Sequence, residues 1–269
     1  MIVAYGDALV DVIVELHQPL AHDDDVPATT TMTPGGQGAN VAAWVAALGG
    51  QASVVTRLGD DANGAWLRRD LEGRGVTVHS PRRPGRTGTV VSLVGADGSR
   101  TMASDRGDSA DLNVSDLSPG WFAGAEWLHL SGYALLGPAP AAALRASEMA
   151  RDARARISVD LSSATLVAAL GRAEVARRLA AAGATAVFAN ELEAAAAGAV
   201  DAEILVIKRG AGGAELRVGR LRTQLHVAEV VAARDVTGAG DAFAAGWLVG
   251  GVEMALEAAR RSVAAVGAR

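Results

Sequence analysis

The stretch DVTGAGDAF, Asp235 to Phe243, sets an aspartate at each end of a run of small residues, directly before an apolar segment with a helical pattern. Successive small residues let backbone N–H groups turn toward one point. The start of a helix adds unpaired donors and the positive end of a dipole. Gly238, Ala239 and Gly240 therefore suit an anion such as a phosphate. The same dipole favours Asp241 as a carboxylate, able to take a proton from a hydroxyl bound beside it. One turn would hold a transferring phosphoryl group and the base that readies its acceptor. The stretch reads equally as a glycine-rich turn with Asp241 capping the helix.

A second stretch, PGGQGANVAAW, runs from Pro34 to Trp44. Gly35 and Gly36 permit close approach of a ligand to the backbone, and Asn40 is placed to bind hydroxyls. The plainer reading is a turn with Asn40 capping the helix that follows. Gly36-Gln37-Gly38 lacks the third glycine of a dinucleotide fingerprint, and no G-x-x-x-x-G-K-[ST] run occurs, which excludes a P-loop.

These stretches need a scaffold, and the remaining pattern supplies one. IVAY, ASVVT, EWLHLS, RISVDLS, TAVFA and EILVIK read as strands bounded by turn residues. Between them lie expected helices over Asn40–Leu48, Ala62–Glu72, Pro140–Arg154, Arg172–Ala182 and Glu191–Ala197. Val41, Trp44, Val45 and Leu48 fall at i, i+3, i+4 and i+7, one buried face. Leu256, Ala259, Val263 and Val266 repeat the helical pattern near the C-terminus. Strands alternating with helices predict a largely parallel sheet covered on both faces. Val10 to Thr33 and Gly85 to Ser104 break the rhythm, with turn signals such as ADG. They read as extra strands, either a small separate sheet acting as a lid or edge strands of the main one. Neither a repeat nor a linker divides the 269 residues, so one domain is expected.

Composition narrows the chemistry. Half of the residues are hydrophobic and 20% are charged, enough for a sizeable core. A formal net charge of −5 argues against a nucleic-acid partner. The absence of cysteine excludes disulfides, cysteine–zinc sites and thiol nucleophiles. The five histidines show no metal-ligand spacing. MIVAYGDALVDVIVEL has no positive leader and carries early acids, so a signal peptide is not expected. Glycine and proline interrupt the charge-free stretches Thr29–Thr56 and Trp127–Leu144. A cytoplasmic protein without membrane contact is the expectation.

GGQGANVAAWVAALGGQASVVTRLGDDANG and DVTGAGDAFAAGW together resemble the two signature regions of the ribokinase/PfkB family of carbohydrate kinases. GDALVDVI, NELE and IKRGAGG fall in the same order as in that family, so the resemblance spans nearly the whole chain. It implies a ribokinase-like three-layer α/β/α sandwich with a mostly parallel sheet and a small β-sheet lid, drawn here from about residues 10–33 and 85–104. It also implies transfer of phosphate from ATP to a sugar-like hydroxyl.

By that resemblance Asp241 is the catalytic base, and Gly238, Ala239 and Gly240 form its anion hole. Asn190 and Glu193 match an N-x-x-E element that organises Mg²⁺ and the phosphates, largely through water, in keeping with the hydrated, oxygen-seeking habit of that ion. Without the resemblance, ANELEAA is a capped helix start with acids in its first turn. Lys208, Gly210 and Gly213 fall where the family binds nucleotide phosphates, although Lys208 also reads as a solvated lysine at a strand end. Asp11, Gly36 and Asn40 match sugar-binding positions, and a carboxylate and an amide suit vicinal hydroxyls. Asp11 otherwise reads as a solvent-facing residue. Arg106 resembles an arginine that reaches the acceptor in fructose and sugar-acid kinases; an ion pair with Asp105 or Asp108 is its alternative.

Gln37 replaces the lysine usual in ribose-specific members, LHLSGY lacks an acid near Ser131, and VDLSS departs from Asp-Pro-Asn. A strict ribokinase is therefore not expected, and the role of Asp160 stays open. Fructose or 2-keto-3-deoxygluconate is the expected acceptor class, with a nucleoside or a non-catalytic sensor as alternatives. The resemblance further allows a K⁺ cofactor and a homodimer through the lid. A nicotinamide dehydrogenase shares the βα rhythm but needs the missing glycine fingerprint.

Overall fold

The computed structural model describes residues 1–95, 99–109, 111–219, 222–227, 235–264 and 267–268. The ADG turn signal at 96–98 and Val266 of the C-terminal helical pattern lie outside the described residues. In chain order the strands are β1 (Ile2–Tyr5), β2 (Leu9–Leu16), β3 (Ala28–Gly35), β4 (Ala52–Val55), β5 (Thr77–His79), β6 (Thr87–Val94), β7 (Arg100–Gly107), β8 (Trp127–Ser131), β9 (Arg156–Asp160), β10 (Ala184–Asn190), β11 (Ile204–Lys208), β12 (Ala214–Val218) and β13 (Arg222–His226). The helices are α1 (Gln37–Ala47), α2 (Ala62–Gly73), α3 (Gly132–Leu135), α4 (Ala141–Asp152), α5 (Ala164–Leu170), α6 (Arg172–Ala182), α7 (Glu191–Ala197) and α8 (Ala239–Val263).

A nine-stranded sheet runs in the order β13-β12-β11-β10-β9-β8-β1-β4-β5. It is parallel from β5 to β11, with β12 and β13 added antiparallel. Its central strands are buried on both faces, and their alternation divides the core in two. Val3 and Tyr5 of β1, Leu128 and Leu130 of β8, and Val187 and Ala189 of β10 pack toward α4 and α6. Ile2, Ala4, Trp127, Ala186 and Phe188, one residue out of phase, pack toward α1, α2 and α8. A period of two on strands buried on both sides yields this three-layer sandwich.

The second sheet has four strands in the order β3-β2-β6-β7. β2 pairs with β6 in parallel, and the outer pairs are antiparallel. It enters the chain between β1 and α1, and again between β5 and β8. Both returns to the main layer therefore pass the C-terminal ends of the parallel strands, where open α/β sheets bind ligands.

Helix α1 begins at Gln37, three residues before the expected start at Asn40. Gly36 occupies the N-cap at φ 93°, and the Gln37 N–H donates to the Asp7 carboxylate (2.9 Å). The cap comes from a residue thirty positions away, which local sequence signals do not register. α8 comprises two segments, because Gly250 and Gly251 leave the helical region. Among the described residues it is the one helix with the length and apolarity of a membrane span; Ala242 to Ala245 and Leu248 are buried in the core.

Candidate active site

Five strand ends supply the site: Asp7 follows β1, Ser131 ends β8, Asp160 ends β9, Asn190 ends β10 and Lys208 ends β11. The N-termini of α1 and α8 converge on them. Their meeting point is a hydrogen bond between residues 201 positions apart, from Asn40 Nδ2 to Asp241 Oδ2 (2.9 Å). Asn40 is thus a buried residue inside the first turn of α1 and not its cap. Burial pushes the Asp241 carboxyl up to about 7; the Asn40 hydrogen bond opposes this, nearby Asp160 and Asp7 add to it, and Lys208 opposes it. The helix dipole expected to favour the carboxylate is outweighed by desolvation.

On one side of Asp241 lies a cavity of about 550 Å³. Asp160, Asn190, Glu193, Lys208, Gly210, Gly213, Ala239 and Gly240 contribute to its lining. Lys208 Nζ pairs with Asp160 Oδ2 (2.5 Å), so it is not a solvated strand-end lysine. Burial works against its ammonium form, but Asp160 and Glu193 outweigh that and hold its pKa above the ordinary lysine value. Asn190 and Glu193 form a reciprocal capping box on α7. Asn190 accepts from the Glu193 N–H (2.8 Å), and Glu193 accepts from the Asn190 N–H (2.8 Å) and side-chain amide (2.9 Å). Glu193 is 4% exposed, and burial followed by the Asp160 charge raises its pKa.

The two glycines of the turn into α8 differ. Gly238 has φ 73°, and a Cβ there would come within 2.6 Å of the Ala268 carbonyl. Gly240 lies in the helix, and a Cβ there would meet only Lys208 Nζ at 3.1 Å. Glycine is thus demanded by the backbone at 238, while at 240 a side chain would enter the cavity beside Lys208. Ala239 already donates its N–H to the Val236 carbonyl (3.3 Å). Among the first-turn donors, those of Gly240 and Asp241 have no acceptor within the helix.

A separate narrow pocket of about 50 Å³ is lined by Gly6, Asp7, Arg106, Ser109 and Tyr133 among others. Arg106 reaches across from β7 to pair with the Asp7 carboxylate, and its guanidinium lies 3.7 Å over the Tyr133 ring. Asp105 pairs instead with Arg86 (2.6 Å), which removes the local ion pair considered for Arg106. Asp11, on β2, borders Gly35, where a Cβ would fall 2.1 Å from its carboxylate. Gly36 is close-packed, its absent Cβ filled by Asp7 and Ala8.

Sequence reasoning overlooked Asp7, Tyr133 and the bridge made by Gln37. Gln37 Oε1 accepts from both Ser131 and Ser162 (2.6 Å for Ser162), and Ser162 N–H donates to Asp160 Oδ1 (2.9 Å). The VDLSS departure thus still leads to Asp160, through a serine at φ 67°. Asp7 stood inside GDALVDVI, and only its position after the central strand β1 could have singled it out.

Comparison with known proteins decides the class. The profile described as pfkB family carbohydrate kinase matches residues 1–268. The chain belongs to this family. Its relatives include an ATP-dependent ribose-1-phosphate kinase of Halopiger xanaduensis, 34% identical over 83% of this chain and 76% of the relative. A fructokinase of Salmonella typhimurium is 33% identical over 90% of this chain and 81% of its own length. A sugar kinase of Pyrococcus horikoshii, solved in complex with ATP, superposes with a TM-score of 0.81 at 23% identity, covering 100% of this chain and 94% of that one. This sugar kinase has the ribokinase-like fold, a large, mostly parallel sheet with a smaller second sheet.

Proposed function

We propose that this kinase transfers the γ-phosphoryl group of ATP to a hydroxyl of a neutral, fructose-type sugar. The observation that carries the reading is the Asn40–Asp241 bond, at a cavity that Asp241 and Lys208 both line; a separate narrow pocket holds Asp7 and Arg106. The larger space suits a nucleotide, with Lys208 and the loop of Gly210 and Gly213 toward its phosphates. Asp11, Gly36, Asn40 and Arg106 would surround the sugar, with one of its hydroxyls delivered to Asp241. Asn40 fixes one carboxylate oxygen and leaves the other for the acceptor proton. The deprotonating hydroxyl attacks the γ-phosphorus, the bond to the bridging oxygen of ADP breaks, and Asp241 retains the proton. The N–H groups of Gly240 and Asp241 would face the charge carried by the phosphoryl oxygens, with Gly238 and Ala239 shaping the turn that presents them. Such catalysis is chiefly positioning and electrostatics.

Glu193, Asn190 and Asp160 offer oxygen donors at the cavity wall, a set that fits Mg²⁺. Because Asn190 engages both Glu193 oxygens, contact through water suits Glu193. Mg²⁺ would supply neutralisation of the β- and γ-phosphates. Activity measured with and without K⁺ tests whether a monovalent cation activates the enzyme.

Arg106 is already neutralised by Asp7, and Asp7, Asp11 and Asp241 surround the acceptor side. That balance favours a neutral sugar over 2-keto-3-deoxygluconate. ADP release with ATP·Mg²⁺ and a panel of fructose, other sugars, 2-keto-3-deoxygluconate, ribose 1-phosphate and nucleosides tests this. A higher kcat/KM for a sugar acid or a nucleoside than for every neutral sugar overturns the acceptor class. ATP binding without turnover on any acceptor would favour a sensor.

The small sheet serves as a lid on a single domain of residues 1–269. With Asp11 beneath it, Asp11→Ala is expected to raise KM for the sugar far more than for ATP. Equal effects on both would place Asp11 outside the acceptor site. The exposed outer strands β3 and β7 leave sheet edges open to pairing between two copies; light scattering of the purified protein reads that dimer. We place the enzyme in the cytoplasm, where ATP is supplied.

The raised Asp241 pKa gives a further expected result. The carboxylate is the active form, so kcat/KM should fall as pH drops through about 7. A flat profile between pH 5.5 and 8.5 (a range spanning roughly 1.5 units on each side) would remove Asp241 as the base.

A further inference from the structure

Asp235, the aspartate at the other end of DVTGAGDAF, takes no part in the chemistry above, yet its carboxylate is fully engaged. One oxygen accepts from the Thr237 N–H (2.9 Å) and hydroxyl (2.5 Å), and the other accepts from the Gly267 N–H (3.0 Å). These bonds fold the three residues that lead into Gly238. A further contact comes from the small sheet. Arg100, the first residue of β7, donates from Nη1 to the Thr237 hydroxyl oxygen and lies 3.6 Å from the Asp235 carboxylate. Its Nε donates to Ser92 Oγ on β6 (2.6 Å), a buried serine, so the guanidinium is oriented from its own sheet as well.

The arrangement differs from a loose surface pair, which contributes little. The Arg100 and Asp235 side chains are 27% and 14% exposed, and the guanidinium bonds three separate groups. Arg100 and Arg106 stand six residues apart on one strand, so they share a face and are separated by about 20 Å. Arg106 ties β7 to Asp7 at the acceptor pocket. Arg100 ties the same strand to the turn at the start of α8.

We infer that Arg100 is a positioning residue that couples the small sheet to the phosphoryl-transfer turn, acting through Thr237 and Asp235 to hold the N–H groups at the start of α8. The inference rests on the reading of Gly238 to Asp241 as that turn. With the sheet seated, Arg100 completes the hydrogen bonding of Thr237; without it, the turn keeps Asp235 but loses its link to the strand that carries Arg106. Acceptor enclosure and anion-hole geometry would then be set by one rigid element.

The experiment pairs kinetics with hydrogen exchange on the full-length protein and its Arg100→Gln and Arg100→Lys variants. Arg100→Gln is expected to lower kcat about tenfold, the size of effect carried by a coupling residue, with KM for the acceptor within about twofold. Peptides covering Asp235 to Phe243 should exchange about tenfold faster without ligand, while those covering β9 to β11 stay unchanged. Arg100→Lys, which keeps a donor for Thr237, should recover part of both. Unchanged exchange at Asp235 to Phe243 overturns the inference, as does faster exchange with normal kcat. Faster exchange spread over the whole protein, with a lowered Tm, overturns it too, because the residue is then merely structural. If the unmodified enzyme turns over none of the acceptors, the phosphoryl-transfer reading fails by itself, and the exchange result still decides whether Arg100 holds the turn.

Discussion

Asp241→Asn is expected to lower kcat by ~10²–10⁴, the usual worth of a positioned general base, with ATP affinity held within a few-fold. The asparagine keeps the size and one hydrogen-bonding oxygen of the native residue. It therefore preserves the Asn40 contact, once that amide turns, and removes only the ability to take a proton. A variant with near-normal kcat would dismiss Asp241 as the base. The same substitution should also change stability in a pH-dependent direction. In the folded protein burial pushes the Asp241 pKa up to about 7, from an ordinary carboxylate value of 3.8, so between those values the native state binds the proton more strongly than the unfolded chain. This contribution to stability is present at low pH and is lost as pH rises through 7. Ligand-free Asp241→Asn should therefore have a higher Tm than the unsubstituted protein at pH 8, by a margin that shrinks toward pH 4. A margin that grows on acidification would contradict the buried, proton-holding carboxyl.

The second large effect is expected from Gly240→Val. The backbone there is helical, so a side chain is tolerated by the fold, and the nearest obstacle is the end of the Lys208 side chain at 3.1 Å from the new Cβ. Valine would project into the phosphate end of the cavity and displace Lys208 from its place beside Asp160. Loss of donors aimed at developing charge costs ~10²–10³ in kcat, and a fall of that order is expected with Tm nearly kept. Gly238→Val is the contrasting case. Its φ of 73° and the Ala268 carbonyl at 2.6 Å from a Cβ should cost stability outright. Measuring kcat per folded molecule beside Tm for both variants separates a glycine kept for chemistry from one kept for the backbone. If Gly240→Val melts early yet retains full specific activity, the turn serves the fold alone.

The alternating layers were legible from residue patterns alone, because period-two strands and period-3.6 helices are local properties. α6 and α7 begin and end at the expected residues, since Gly171 and Gly183 flank α6 and Asn190 caps α7. The order of the motifs, from GDALVDVI to DVTGAGDAF, was enough to indicate a sugar kinase. The sequence alone therefore determined the architecture, the reaction class and several of the residues gathered around the cavity, Asn190, Glu193, Lys208 and Asp241 among them.

Only tertiary structure decided how those residues are paired. Asn40 read as a helix cap until Asp7, supplied from the end of β1, was seen to cap α1 three residues earlier. Arg106 stood between two aspartates, yet it bonds a third, Asp7, because its strand crosses to the end of β1. Lys208 was expected at the nucleotide phosphates, with a solvated strand-end lysine as the alternative; its pairing with Asp160 appears only once β9 lies near β11. The state of Asp241 changed most: its place at a helix start argues for an ionised carboxylate, and desolvation at the cavity overrides that preference. Capping, pairing and desolvation across long sequence separations depend on which strand lies beside which. Strand order follows from packing the whole core, and no local spacing encodes it.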